Sequence, residues 1–184
     1  MSRIGRAPIE LVQGVTVDET VDGIIVVTGP KGTLRRPIEN CVKLEHTEHN
    51  GKPAVVLTRN AETNEVRSKH GLYRALINNM VKGVSVGFTK SLTFNGIGYK
   101  CTIAGNKITL SLGLSHPVSI EIPEGLTVTN PTANEIVVAG IDNEKVGQFA
   151  ADIKALKPIE PYHGYGIRYT ADPVHLKEIK KGKK

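Results

Sequence analysis

The chain has 184 residues, enough for one large domain or two small ones, and its 39% hydrophobic and 4% aromatic content favours small cores packed by Val, Ile and Leu. It contains no apolar run long enough to span a membrane, and its start lacks the apolar segment of a secretory signal, so we expect a cytosolic protein with no membrane partner. Cys41 and Cys101 are too few and too far apart for a disulfide framework or a zinc motif.

The net charge of +6 is concentrated at the two ends of the chain. Residues 1–82 carry 12 Lys/Arg against 9 Asp/Glu, residues 83–150 carry 4 against 5, and residues 151–184 carry 8 against 4. The run from Lys177, KEIKKGKK, is polar and has no hydrophobic periodicity, which predicts disorder when it is alone. Such a tail gains order by laying its lysines along phosphates.

The first half of the chain predicts short strands followed by one amphipathic helix. The turn signals between the strands are Asp22-Gly23, GPKG at 29–32 and Asn50-Gly51. The candidate strands are residues 15–21, 24–28, 33–38, 42–46 and 54–58. Asn60 can cap a helix that ends before Gly83 and whose inner face recurs every three or four residues. That face consists of Val66, His70, Tyr73, Ile77 and Met80.

The second half repeats the same order of elements. Its candidate strands are residues 91–95, 99–103, 107–112, 118–122, 126–130 and 135–140. Asp142 then caps a helix that stops at Pro158, because proline cannot continue a helix. The apolar face of this helix consists of Val146, Phe149, Ile153 and Leu156.

An internal shift relates the two halves. A shift of 82 places Val55-Val56 on Val137-Val138 and the cap Asn60 on Asp142, while the helix faces align best at a shift of 76. The sequence therefore predicts an α+β fold of two tandem duplicated domains, each an antiparallel-rich β-sheet packed against one main helix. We expect the first domain at 1–82, the second at 83–170, and a basic C-terminal tail at 171–184.

Motifs that could carry catalysis or metal binding fail their structural tests. Gly96-Ile97-Gly98 precedes a strand where a dinucleotide-binding loop would open a helix, so it predicts a turn. His46 and His49 point to opposite faces of a strand and lack a third ligand. Ser115 and His116 are adjacent on a turn before a strand, where their side chains diverge. We expect no enzyme, cofactor or metal site, although a triad assembled from distant residues stays open.

Residues 157–169, KPIEPYHGYGIRY, form what we call the Tyr/Gly segment, which holds three of the five tyrosines. Its prolines remove backbone donors and its glycines disfavour regular structure, so the segment is predicted to be an exposed loop. Glycines let backbone amides approach phosphates, and tyrosines offer a flat face and a hydroxyl, which is the chemistry that structured RNA requires. Alternatively, Tyr162 and Tyr169 pack on the second helix and only hold the loop in place.

The same segment resembles the proline-proline-tyrosine-x-glycine-lysine-glycine-isoleucine signature of the bacterial-type ribosomal protein L6 family. Further stretches agree in order across nearly the whole chain: MSRIGRAPI, GPKGTL, HGLYRALINNMVKGV, NGIGYK, LGLSHPV and VGQFAADIKALKP. The resemblance implies a structural protein that binds large-subunit rRNA near the elongation-factor binding region, with stalk-base ribosomal proteins as neighbours and translation factors nearby. His163 and Tyr165 stand where the family usually has basic residues.

Together, the resemblance and the residue chemistry predict an RNA-binding surface on the second domain and the tail. The predicted RNA-binding residues are Ser115, His116, Lys154, Lys157, Pro161, Tyr162, His163, Gly164, Tyr165, Gly166, Arg168, Tyr169, Lys177, Lys180, Lys181, Lys183 and Lys184. The alternative function is a protein-interaction module that grips an acidic protein through the Tyr/Gly segment, with the tail serving only solubility.

Overall fold

The computed structural model describes residues 3–20, 23–49 and 51–178. They divide into two compact units, residues 1–88 with 141–143 and residues 89–140 with 144–184. The helices are α1 (Arg3–Arg6), α2 (Asn64–Ser85) and α3 (Asn143–Leu156). The strands are β1 (Ile9–Glu10), β2 (Thr16–Glu19), β3 (Ile24–Gly29), β4 (Gly32–Pro37), β5 (Val42–His49), β6 (Lys52–Arg59), β7 (Phe88–Asn95), β8 (Lys100–Ala104), β9 (Lys107–Ser111), β10 (Val118–Glu121), β11 (Leu126–Thr132), β12 (Glu135–Gly140) and β13 (Gly166–Tyr169).

The first domain packs α2 against two antiparallel sheets of order β1-β6-β5 and β2-β3-β4. Tyr73, Ile77 and Met80 of α2 are buried at the predicted spacing, together with the strand residues Ile25 and Val55. This hydrophobic face holds the helix on the sheets because its burial removes apolar surface from water.

The second domain repeats this arrangement, which confirms the predicted fold of two tandem α+β domains. Its sheets have the orders β10-β9-β8 and β11-β12-β7-β13, so β7, β12 and β11 correspond to β1, β6 and β5. Val146, Phe149 and Ile153 of α3 are buried as the spacing predicts, and Leu156 is half-buried. Helix α3 thus takes the place that α2 has in the first domain.

The two ends of α2 differ from the prediction. Its N-cap is Thr63, whose hydroxyl accepts a hydrogen bond from the Val66 amide at 3.4 Å. Asn60 does not cap the helix, because its side-chain amide donates to the Asn40 carbonyl at 2.8 Å. The helix also continues through Gly83 to Ser85, and the glycine that ends it is Gly87, with φ of 82°.

The predicted hairpin turns lie where the turn signals placed them. Gly29 pairs with Gly32 across the GPKG turn, and Gly23 and Gly51 have φ of 70° and 73°, which glycine adopts without strain. Asp22 and Asn50, the other halves of two turn signals, lie outside the described residues.

The expectation that the whole Tyr/Gly segment is an exposed loop is wrong at its C-terminal end. Residues Gly166–Tyr169 form β13, which pairs antiparallel with β7, and Ile167 is fully buried opposite Phe94. Glycines and prolines, which are typical of turns, surround this short GIRY run. The strand was therefore not predicted, although isoleucine and tyrosine favour strands. The first domain has no counterpart of β13 among the residues described.

Candidate nucleic-acid interface

Backbone hydrogen bonds close the N-terminal part of the Tyr/Gly segment into a fixed turn. The Glu160 amide donates to the Tyr165 carbonyl at 2.7 Å, and the Gly164 amide donates to the Glu160 carbonyl at 3.1 Å. The side-chain amide of Asn95, at the end of β7, donates to the Gly164 carbonyl at 2.9 Å. The turn is therefore braced against the sheet, which reduces the entropy that a ligand would have to remove.

Both glycines of the turn have backbone conformations that disfavour a side chain. Gly164 has φ of 73° and Gly166 has φ of 140°. A Cβ on Gly166 would lie 2.6 Å from the Ile159 Cα and 2.7 Å from the Pro158 carbonyl oxygen. The chain's own backbone leaves no room for a side chain at Gly166. The fold therefore requires glycine at this position whether or not RNA is bound.

The turn presents three aromatic rings to solvent. Tyr162 and Tyr165 have exposed fractions of 47% and 40%. The His163 and Tyr165 rings are stacked, with centroids 5.8 Å apart and an angle of 12° between the ring planes. Flat exposed rings of this kind can stack on an unpaired base, and the tyrosine hydroxyls can bond a phosphate or ribose.

His163 does not act as a free cation at this turn. Its Nδ1 lies 3.1 Å from the Glu160 carboxylate, so a protonated His163 is already paired. Tyr165 offers a phenol hydroxyl in place of a basic group. A phosphate contact at these two positions would therefore rely on hydrogen bonds more than on charge.

At the other end of β13, Tyr169 lies between two lysines. The ammonium groups of Lys154 and Lys90 lie 4.5 Å and 5.4 Å from its ring centroid. Lys154 also contacts the Asp172 carboxylate at 3.3 Å, and Arg168 Nη1 donates to the Asp172 carbonyl at 2.9 Å. Tyr169 therefore contacts α3, the helix of the second domain, through Lys154, in agreement with the alternative that it packs on this helix. Tyr162 is exposed.

The predicted RNA-binding residues of the segment form two groups, one at each end of β13. Gly166 pairs with Asn95 and Tyr169 with Leu92, so the two ends are three residues apart along the strand. At the usual rise per residue, this separation is about 10 Å. Lys90 and Asn95 lie at the two ends and were missed, because a lone lysine or asparagine in a strand pattern gives no sequence signal.

The start of the tail returns to the turn. The Lys177 amide donates to the Pro161 carbonyl at 2.8 Å, and the Leu176 side chain lies 3.2 Å from where a Cβ on Gly164 would be. Lys157 is half-buried, and its carbonyl accepts the Ile167 amide at 2.8 Å. The predicted contacts Lys180, Lys181, Lys183 and Lys184 lie outside the described residues. The described part of the tail, up to residue 178, thus lies beside the turn at Lys177.

Ser115 and His116 are exposed in the connection between β9 and β10, as the predicted turn requires. They belong to the β10-β9-β8 sheet of the second domain, whereas the Tyr/Gly segment belongs to the other sheet. Within the described residues, no hydrogen bond or ion pair joins either side chain to the Tyr/Gly segment. Their place in a common RNA surface stays a prediction.

Three further observations concern metal ligands, the buried thiol and the helices. No group of three or more His, Cys, Asp or Glu side chains is placed there to hold a metal ion. Burial raises the pKa of the Cys101 thiol to about 11, so this thiol is protonated at neutral pH and is a poor nucleophile. None of the helices in this part of the chain is both long and apolar enough to cross a membrane.

Comparison with known proteins identifies the family. The sequence model described as "Ribosomal protein L6" matches residues 13–87 and 95–170. The chain belongs to the ribosomal protein L6 family. Similar L6-family relatives include the large ribosomal subunit protein uL6 of Clostridium kluyveri (45% identity), Thermoanaerobacter sp. (46%) and Alkaliphilus metalliredigens (45%). Each alignment covers 100% of both chains.

The two L6 matches coincide with the two copies of the fold. The first runs from just before β2 to Gly87, the glycine that ends α2, and the second runs from the end of β7 to the residue after β13. The second L6 repeat therefore contains the whole Tyr/Gly segment, whereas Lys90 and the tail lie outside both matched ranges.

Proposed function

We propose that the chain is a structural, non-enzymatic constituent of the large ribosomal subunit and that it binds large-subunit rRNA. The observation that carries this proposal is the full-length similarity, about 45% identical, to large ribosomal subunit proteins of three organisms. The protein would then act in the cytoplasm, within the ribosome, and would need no cofactor.

The second domain and the tail supply the RNA-binding surface in this proposal. The braced turn offers the exposed rings of Tyr162 and Tyr165, and Lys177, where the lysine-rich run begins, is bonded to that turn. Rings select unstacked bases, while lysines contact phosphates irrespective of sequence. The turn therefore provides the choice of site, and the tail provides electrostatic affinity.

The position that we propose on the subunit is near the elongation-factor binding region and the stalk base. Neighbouring ribosomal proteins of the stalk base would be direct partners, and translation factors would bind close by. This placement follows from the family resemblance of the Tyr/Gly segment, in which His163 and Tyr165 stand where the family usually has basic residues.

Sedimentation tests the proposal directly. The full chain should co-sediment with large ribosomal subunits, and ribonuclease treatment should release it, because the rRNA is the binding partner. The matched variant Tyr165→Ala, with its side chain in the exposed turn, should be released at lower salt than the wild type.

The competing function makes the opposite prediction in the same experiment. If the Tyr/Gly segment grips an acidic protein, ribonuclease treatment should leave the association intact. An association that survives complete digestion of the rRNA would therefore contradict RNA binding and support the protein-interaction module.

A further inference from the structure

Lys90 presents a positive charge that no acidic side chain neutralises within the described residues. It is exposed near the start of β7, and its ammonium lies 5.4 Å from the centroid of the Tyr169 ring. By contrast, Lys154, the other lysine over this ring, is paired with Asp172 at 3.3 Å. This cation–π contact holds the Lys90 ammonium near one position while leaving its N–H donors available.

The surface beside Lys90 is a groove of about 470 Å³, which is large enough for a nucleotide-sized group. Hydroxyl-bearing side chains make up much of its lining. The lining residues are Thr89, Lys90, Ser91, Tyr169, Thr170, Ala171 and Asp172. Hydroxyl groups together with one ammonium suit a sugar–phosphate unit, whose phosphate accepts hydrogen bonds and whose ribose hydroxyls both donate and accept them.

The geometry of the groove is fixed by strand pairing and by the turn that follows β13. The Thr170 amide donates to the Ser91 carbonyl at 2.9 Å, and the Thr170 and Thr93 hydroxyls are hydrogen-bonded at 2.9 Å. The Asp172 amide donates to the Tyr169 carbonyl at 3.0 Å. These bonds hold the lining backbone in place before any ligand binds.

Of the charged groups that line the groove, Lys90 and Asp172 balance each other, and the excess that favours an anion comes from Lys154 and Arg168 beside it. The Asp172 carboxylate lines it but is compensated by Lys154. Arg168 adds a further cation next to this pair, through its bond to the Asp172 carbonyl. With Lys90, the four side chains carry three positive charges against one negative, a local excess of +2.

We propose that this groove binds one ribose–phosphate unit of RNA, with the Lys90 ammonium on the phosphate and the groove hydroxyls on the sugar. It is a second anchoring point, about 10 Å along β13 from the turn that carries Tyr165. Tyr169 acts as a positioning residue that holds the Lys90 side chain at the mouth of the groove. This inference rests on the proposed RNA-binding function.

Salt-dependent binding of a large-subunit rRNA transcript to the full chain tests the role of Lys90. Lys90→Gln keeps a polar, unbranched side chain and removes its charge, so binding should weaken and the slope of log affinity against log salt should fall by roughly 0.7–0.9. The control Lys43→Gln changes an exposed strand lysine of the first domain and should leave the slope unchanged. An unchanged slope for Lys90→Gln overturns the proposal.

Acetylation of lysines with and without RNA gives a second, direct readout. Lys90 should react more slowly in the RNA complex than in the free protein, while Lys43 should react equally in both. Inorganic phosphate at the same phosphate concentration should not protect Lys90. Equal reactivity of Lys90 in the free and RNA-bound protein, or full protection by inorganic phosphate alone, contradicts a ribose–phosphate site.

Variants at Tyr169 separate its positioning role from direct contact. Tyr169→Phe keeps the ring and should retain the wild-type salt slope and the protection of Lys90. Tyr169→Leu removes the ring, so its salt slope should be shallower than that of the wild type and RNA should no longer protect its Lys90. The variant should still show the unfolding transition of the wild type. Loss of Lys90 protection in Tyr169→Phe contradicts positioning by the ring.

If the wild type itself does not bind the transcript, the proposed function fails. If the wild type binds and only the Lys90 tests fail, the proposal for this groove alone is wrong.

Discussion

Gly166 is the residue of the Tyr/Gly segment whose identity the fold constrains most. Its φ of 140° is accessible mainly to glycine, and a Cβ would lie 2.6 Å from the Ile159 Cα. We expect Gly166→Ala to destabilise the second domain by about 1–3 kcal/mol, through backbone strain and displacement of residues 158–159. Urea unfolding followed by circular dichroism measures this loss.

The control for this substitution is Gly147→Ala in α3. A Cβ on Gly147 meets no atom within 4 Å, and alanine is the better helix former, so this variant should be stabilised by roughly 0.5–1 kcal/mol. Equal unfolding midpoints for Gly166→Ala and the wild type would show that the backbone near Ile159 accommodates a side chain.

Tyr165 is expected to contribute to RNA binding through its ring. It is 40% exposed and stacked on His163, so little energy is required to place a base against it. We predict that Tyr165→Ala weakens RNA binding by about 1–3 kcal/mol, the usual contribution of one base–aromatic stack. Tyr165→Phe keeps the ring and should bind within a small factor of the wild type in the same filter-binding assay. Equal losses in the two variants would instead assign the contact to the hydroxyl.

At the scale of elements, α3 holds the second domain together through one buried face. Phe149 is 4% exposed on that face, between Val146 and Ile153, which are fully buried. Phe149→Ala should cost about 3–5 kcal/mol, from lost transfer energy and the cavity that remains. Lys145→Ala, an exposed change on the same helix, should leave the unfolding midpoint nearly unchanged. A midpoint for Phe149→Ala equal to that of the wild type would contradict the packing of α3.

Sequence periodicity predicted α2, α3 and the duplication because buried side chains must recur at the spacing of the element. The spacing from Val146 to Ile153 identified the inner face of α3 correctly. The N-cap of α2 was misplaced because Asn60 and Thr63 are both good capping residues, and only the tertiary bond from Asn60 to Asn40 decides between them.

The candidate site was only partly predictable from sequence. The glycines, prolines and tyrosines of the Tyr/Gly segment predicted an exposed loop. The same residues made the strand β13 at the end of the segment unrecognisable from sequence. The groove at Lys90 depends on the pairing of β7 with β13, a contact between residues that are 71 (Gly166 and Asn95) to 77 (Tyr169 and Leu92) positions apart. Long-range pairing of this kind leaves no local signal in a single sequence.

At the scale of the whole molecule, the tail should supply salt-sensitive affinity while the folded domain supplies the choice of site. The tail from Lys177 carries five lysines in its eight residues. If about three to four of them contact phosphate, deleting residues 177–184 should make the slope of log affinity against log salt shallower by about 2 to 4. Discrimination between RNA sequences should persist, because lysine contacts phosphate as a point charge.

Salt titration of the full chain and of the deletion variant on the same rRNA transcript measures the contribution of the tail. The Lys177 amide bond to Pro161 brings the tail close to the turn, so a second deletion that starts after Lys177 separates electrostatics from support of the turn. An unchanged slope in both deletions would make the tail a solvated appendage and would assign the RNA contacts to the folded domain.

The central claim is that the second domain and the tail form the RNA-binding surface, and ultraviolet crosslinking of the protein within intact large subunits tests it most directly. Mass spectrometry of the crosslinked peptides should find nucleotides attached within residues 157–169, above all at the exposed rings of Tyr162 and Tyr165. Crosslinks confined to residues 1–82, with none in the Tyr/Gly segment, would contradict the claim.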